Sequence, residues 1–276
     1  MLKTRLITAA VLLALFAAVL WIGNKAFAIS SAVIAGLIIY EFLGVALVPS
    51  RRGVKFYHDD AVIYAIILAL PGMALVFFGV ELAMGLTIFA VTSFLVRECF
   101  LYESLPDEGP AKDVISAFAI AFFYPFLFGL MFIISIDRIS QIFHSDAWRI
   151  ILWFVLLVVV SDTGAYVGGR LMGRNKLAPR ISPNKTIEGA VSGFICVLIF
   201  SQLLSELLKL TPSFSNLIVV AVLVGILAPL GDLVESWIKR IYRVKDMGNL
   251  LPGHGGVFDR VDSYIFASLA LFLLTV

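Results

Sequence analysis

Residues 216–240 read NLIVVAVLVGILAPLGDLVESWIKR. After Asn216 the stretch is apolar as far as Gly231, and it ends with Asp232, Glu235 and Lys239 among its last residues. A bilayer core about 30 Å thick is crossed by roughly 20 apolar residues at 1.5 Å each. Residues 216–238 therefore have the length and composition of a membrane-spanning helix. Within it Asp232, Glu235, Ser236 and Lys239 stand at i, i+3, i+4 and i+7, which is one stripe of one helix face. A charge deep in a span costs on the order of 2.5–3.5 kcal/mol even on the lenient insertion scale. Such a stripe must face a polar interior rather than lipid. Pro229 and Gly231, just before it, predict a break in the helix whose freed backbone groups line a cavity.

The rest of the chain has the same character. Of its 276 residues 61% are hydrophobic and 14% charged, against about 45–50% and about 25% in soluble domains; the mean hydropathy is +1.02. The fold class expected is an all-α polytopic integral membrane protein of nine transmembrane helices: 6–23, 27–49, 60–77, 80–97, 114–135, 147–169, 187–208, 216–238 and 257–275. Residues 61–96 form one apolar block too long for a single span, divided here between Pro71 and Gly79. The opening MLKTRLITAAVLLALFAAVLWIGNKAFA has the basic start and Ala-Phe-Ala of a signal peptide. Its apolar stretch, Leu6 to Gly23, exceeds the usual 7–15 residues or so, and it is read as an uncleaved first helix. Cys99 and Cys196 both lie in apolar segments and are read as small buried hydrophobes, not a disulfide.

Positive charge orients the spans. With nine of them, 17 of the 21 lysines and arginines fall on the side of the N-terminus, while Lys25, Arg138, Arg149 and Lys209 fall opposite. Basic connections stay cytoplasmic, so the N-terminus is expected in the cytoplasm and the C-terminus on the other face. The whole of 1–276 is read as a single integral membrane domain, with 1–135 as scaffold for a dimer and a lipid cavity and 147–276 as the catalytic half.

Two other spans carry acids. SDTGAY places Asp162 and Tyr166 one turn apart, and FDRVDS puts Asp259, Asp262 and Ser263 on a shared face. Asp162, Asp232 and Asp259 then lie within about two turns of the cytoplasmic surface, on three helices, and form a pocket open to the cytosol. The competing reading pairs these carboxylates with Lys239, Arg240 or Arg260 for assembly alone. Hard oxygen ligands of this kind suit Mg2+. The scattered His58, His144 and His254 do not suit zinc. A further acid, Glu41 in IIYEFLG, either lines the site or pairs with a basic neighbour.

The connections between these spans are built to meet anions. RISPNKTIEG (180–189) reads as a helix start with Ser182 as N-cap and Pro183 at the first helical position. Free N–H groups at such a terminus attract phosphate, and Lys176, Arg180 and Lys185 reinforce them. GGRLMGRNK (168–176) is glycine-rich without being a P-loop, since Arg174-Asn175 stands where Lys-Ser/Thr belongs. In LPGHGGVFDR (251–260) glycines flank His254 and permit close backbone approach to a ligand. The residues alone describe a membrane enzyme that handles polyphosphate with Mg2+ at a cytoplasm-facing site and takes a lipid as its second substrate. No nucleic-acid partner is expected.

Ser236, Lys239, Arg240, Lys245, Asp246, Gly248, Leu251, Pro252, His254, Gly255, Gly256, Asp259, Arg260 and Asp262 stand at the spacing of the phosphatidate cytidylyltransferase (CDP-diacylglycerol synthase) signature. Upstream, Asp162, Tyr166, Gly169, Gly173, Lys176, Ser182, Pro183, Lys185, Thr186, Glu188 and Gly189 are similar to the family's second motif block. The resemblance covers about residues 155–276. It implies CTP and phosphatidic acid as substrates, CDP-diacylglycerol and pyrophosphate as products, and a homodimer in the inner membrane. It also implies Mg2+ on Asp232 and Asp259, with a potassium ion beside it. Lys239, Arg240 and Asp262 would join these two in catalysis. Asp162, Tyr166, Lys176, Ser182, Lys185, Thr186, Glu188, Glu235, Ser236, Lys245, Asp246, His254, Gly255, Gly256 and Arg260 would bind substrate. The nucleophile, a phosphomonoester with a second pKa of about 6, is already anionic and needs no strong base. His254 is accordingly read as a phosphate or structural donor. The rival readings are a CTP-dependent polyprenol or phytol kinase and, from another class, a transporter of an anionic solute. No internal repeat or midplane polar site favours the transporter.

Overall fold

A computed structural model describes residues 2–47 and 126–275, together with the isolated positions 70, 71, 73, 74, 77, 79 and 87. Apart from those isolated positions, the expected spans 60–77 and 80–97 lie outside the described residues, as do most of 114–135, Cys99 and His58. The helices are α1 (Leu2–Ile22), α2 (Asn24–Leu47), α3 (Leu127–Phe143), α4 (Ala147–Met172), α5 (Ile187–Leu207), α6 (Phe214–Ile241) and α7 (Phe258–Leu273). A small hairpin, β1 (Lys176–Ala178) and β2 (Ser182–Thr186), joins α4 to α5. Among the described residues five helices are long and apolar enough to cross a membrane, over Lys3–Ile22, Asn24–Ala46, Ala147–Met172, Ile187–Leu207 and Ser215–Ile241. They coincide with five of the expected spans. The protein is a mostly helical, multi-pass membrane protein.

The chain divides into two compact units, both discontinuous: residues 1–133 with 246–259, and residues 134–245 with 260–276. In the first, α1 leaves large apolar side chains such as Leu6, Leu13 and Trp21 exposed, as suits a helix whose solvent is lipid. Gly23, at φ +116°, makes the one-residue joint to α2, a conformation that costs glycine little. Phe27 meets Phe16 and Phe132 edge-on, with centroids 6.0 and 6.2 Å apart. Along α2, Ile38, Ile39, Phe42, Leu43 and Ala46 are buried, and so is Glu41.

In the second unit Trp153, Phe154, Leu157 and Val158 of α4 are fully buried, and the Trp153 indole N–H donates to the Ser201 carbonyl of α5 at 3.1 Å. Two Gly-x3-Gly repeats bring α4 and α5 close together: Gly164–Gly168 on one helix and Gly189–Gly193 on the other. A Cβ added to Gly193 would lie 2.7 Å from the Ser161 carbonyl oxygen, and one on Gly189 2.7 Å from that of Ala165. Small residues at a membrane-helix crossing allow this backbone approach. Cys196 is a free thiol packed against Gly164.

Two local expectations are corrected. Ser182 is not an N-cap and Pro183 does not open a helix. Both lie in β2, paired antiparallel with β1 in the register Lys176↔Thr186 and Ala178↔Ser182. The cap is Thr186, whose hydroxyl accepts from the Gly189 N–H at 3.1 Å. A Ser-Pro dipeptide fits a strand edge as well as a helix start, because proline has no N–H to offer either ladder. The second correction is that α6 does not break at Pro229 but runs unbroken from Phe214 to Ile241. Proline in a membrane helix is tolerated where neighbouring helices and local adjustment satisfy the freed groups. Gly231 serves packing instead: a Cβ there would stand 2.5 Å from the Asp262 carbonyl oxygen.

Candidate active site

The stripe foreseen on α6 is present, and the second unit supplies its partners. Asp232, Glu235 and Asp262 offer carboxylate oxygens that all lie within 4.8 Å of one another. Two unit negative charges at such a separation repel by roughly 3–4 kcal/mol at an effective dielectric of about 20, so three together demand compensation. Lys185, reaching from β2, meets Asp232 at 2.6 Å, and Lys239 meets Glu235 one turn away at 2.5 Å. Ser236 donates to Asp232 at 3.5 Å, and Ser263 of α7 donates to Asp162 of α4 at 3.4 Å. The acidic group thus draws on three helices and the hairpin.

Other residues of the second motif block hold that hairpin in place. The Glu188 carboxylate accepts from the Arg174 N–H (3.1 Å), the Asn175 N–H (3.2 Å) and the Asn175 side-chain amide (2.7 Å), tying the start of α5 to the end of α4. Arg240 Nε donates to the Ile181 carbonyl at 3.0 Å, anchoring the hairpin turn to α6. The helix closes in a Schellman motif, with Arg243 at φ +56° and bonds from Val244 N to Lys239 O and from Arg243 N to Arg240 O. Lys176 and Tyr166 are exposed, the latter's hydroxyl accepting from Arg170 at 3.4 Å. Lys245 and Arg260 are likewise exposed.

The rest of the signature belongs to the first unit. Leu251-Pro252-Gly253-His254 forms a tight turn in which the His254 N–H donates to the Leu251 carbonyl at 2.9 Å. Gly253, at φ +77°, takes the position of a type II turn that requires it. Gly255 (φ +87°) returns to bridge Leu251. Asp259 organises this loop: its carboxylate accepts the Met247 N–H at 3.1 Å and the Gly256 N–H at 2.7 Å. The Gly255 backbone passes so close that a Cβ would lie 2.9 Å from Asp259 Oδ2 and 3.6 Å from Asp246 Oδ1. From α1, Arg5 Nε donates to the Gly253 carbonyl (3.0 Å) and the Thr8 hydroxyl to that of Pro252 (2.9 Å).

Glu41, for which the sequence leaves two readings open, has backbone partners that neither of them names. Its carboxylate accepts backbone N–H groups at the start of α7, from Val257 at 3.0 Å and Phe258 at 2.9 Å. The signal available was a lone acid in an apolar helix, and nothing local to α2 names backbone amides far along the chain as its partners. The helix-crossing glycines, by contrast, were readable as small residues four apart in GAYVG and GAVSG.

The fold and these clusters describe a membrane-embedded helical protein with a lysine-paired acidic group among its helices and a glycine-rich loop closed by carboxylates. Residues 3–276 match the cytidylyltransferase family, and the chain belongs to it. Over 133 residues it is 47% identical to the phosphatidate cytidylyltransferase of Staphylococcus haemolyticus, 44% to that of Staphylococcus saprophyticus and 43% to that of Staphylococcus aureus. Each match covers 48% of this chain and 51% of the relative, so the chain aligns with about half the length of these curated relatives.

Proposed function

We propose that this protein is a phosphatidate cytidylyltransferase, transferring CMP from CTP to phosphatidic acid and releasing CDP-diacylglycerol and pyrophosphate. The observation that carries the reading is the Asp232–Glu235–Asp262 group with Lys185 and Lys239 paired into it. It joins the two motif blocks that resemble that family. Its donors are hard carboxylate oxygens, the chemistry Mg2+ takes alongside substrate phosphates. Asp232 and Asp259 are the ligands the resemblance implies, and Glu235 and Asp262 are the carboxylates beside Asp232. When bound, the cation supplies charge neutralisation to the triphosphate and to the leaving pyrophosphate.

The protein's own work is to bring two anions together in line. The lipid phosphate attacks the α-phosphorus of CTP and needs no deprotonation near neutral pH. Lys185 and Lys239 offset the phosphate charge, and their fixed ion pairs spare reorganisation during the reaction. Holding both reactants in near-attack geometry supplies much of the rate. The finer reading has nine spans, a cytoplasmic N-terminus, an external C-terminus, a site facing the cytoplasm, a potassium ion beside Mg2+, and a homodimer in the bacterial inner membrane.

The test is a label partition with purified protein, Mg2+, phosphatidic acid and CTP labelled at either the α- or the γ-phosphorus. Label at the α-phosphorus should enter the lipid, and γ-label should leave as pyrophosphate. Transfer of γ-label to a lipid, with CDP released, overturns the reading in favour of a lipid kinase.

A further inference from the structure

We propose that Glu41 is a positioning residue for nucleotidyl transfer, a clamp on α2 that sets the shape of the loop 246–258. The inference rests on the function proposed above. Glu41 is 4% exposed although it lies in an apolar helix. Burying a charge without partners is strongly unfavourable. The two oxygens of Glu41 each take one backbone N–H at the start of α7, Val257 at 3.0 Å and Phe258 at 2.9 Å. Helix-start N–H groups have no intrahelical acceptor, and a carboxylate there also meets the favourable end of the helix dipole.

The loop packs onto the carboxylate itself. A Cβ on Gly256 would stand 2.5 Å from Glu41 Oε2, and one on Gly248 would overlap Oε1 and the carboxyl carbon. Glycine at both positions is therefore a requirement of Glu41. Two carboxylates close this loop. Asp259 ties Met247 to Gly256 from inside the signature; Glu41 ties Val257 and Phe258 from 216 and 217 residues away. The loop carries Asp246, His254, Gly255 and Gly256, which the family resemblance implies bind substrate, and glycine turns of this kind turn backbone N–H groups toward an anion such as a triphosphate, so its shape should govern CTP recognition rather than lipid binding.

The variant Glu41→Gln keeps the volume but turns an amide donor toward N–H donors. Losing one charged hydrogen bond should raise the KM for CTP about tenfold or more, while the KM for phosphatidic acid changes by less than about twofold. Hydrogen exchange should rise at the amides of residues 246–258 and stay unchanged in α4 and α5. Gly248→Ala, which displaces the carboxylate from the other side, should reproduce both effects. A fall in kcat with an unchanged KM for CTP marks a merely structural role and overturns the proposal, as does unchanged exchange in the loop. If neither variant accumulates folded, Glu41 is a folding residue and the proposal also falls. Wild-type protein that transfers no α-label refutes the functional reading itself, and exchange in the loop still shows separately whether the clamp exists.

Discussion

Gly193 faces a wall of backbone, and the cost of filling its place follows from that. An added Cβ would stand 2.7 Å from the Ser161 carbonyl oxygen, 3.1 Å from Ala165 Cβ and 3.2 Å from Ala165 N. None of these can rotate aside, so relief requires α4 and α5 to part by roughly 0.7 Å to reach ordinary contact. A gap of about 0.5–1 Å forfeits a quarter to a half of each contact along the crossing, and overpacking of this kind costs about 1–3 kcal/mol. Alanine recovers up to about 1 kcal/mol of helix propensity. Gly193→Ala should therefore destabilise the protein by about 1–2 kcal/mol, a fall in unfolding temperature of about 2–8 °C. Gly168 supplies the contrast. Its Cβ would overlap the Ser192 side chain, whose removal leaves Ser192 Cα at 3.7 Å, an ordinary contact. Gly168→Ala should destabilise similarly, and Gly168→Ala with Ser192→Gly should recover most of the loss. Thermal unfolding of the purified wild type, the three single variants and the double variant completes the cycle. Gly193→Ala as stable as wild type, or no rescue of Gly168→Ala by Ser192→Gly, refutes the crossing described here.

Asp232→Asn should abolish turnover, a fall of at least about a hundredfold, while leaving the protein folded in membranes; a near-normal rate at ordinary Mg2+ removes Asp232 from the site. Cysteines placed at Lys176 and Asn249 should react with a membrane-impermeant thiol reagent only from the cytoplasmic side, and labelling of either from outside contradicts the proposed orientation.

What the sequence discloses here depends on how far apart the interacting parts lie. The stripe Asp232, Glu235, Ser236, Lys239 was legible because helical periodicity alone puts these residues on one face, and the apolar runs of α1, α2, α4, α5 and α6 were legible because a bilayer demands length. The β-hairpin was not. Ser182-Pro183 satisfies local rules for a helix start, but the start is settled by Thr186, by Glu188 reaching back to Arg174 and Asn175, and by Arg240 holding the Ile181 carbonyl. Pro229 misled for a related reason: its penalty is a property of an isolated helix, and α6 is not isolated.

Glu41 shows where local reading stops. An acid in an apolar helix announces that a partner exists, and the usual inference looks for a cation. Here the partners are backbone amides, which every residue except proline carries and which composition therefore cannot single out. They become available only because Asp259 and the glycine turns fold residues 246–256 so that the amides at the start of α7 point at one carboxylate. The glycines Gly248 and Gly256 do appear in the signature, and their need to be small is intelligible only once Glu41 is seen lying against them. A motif read as a ligand cradle is thus also the imprint of a side chain more than two hundred residues upstream, and exchanging that side chain tests what the motif's own residues cannot.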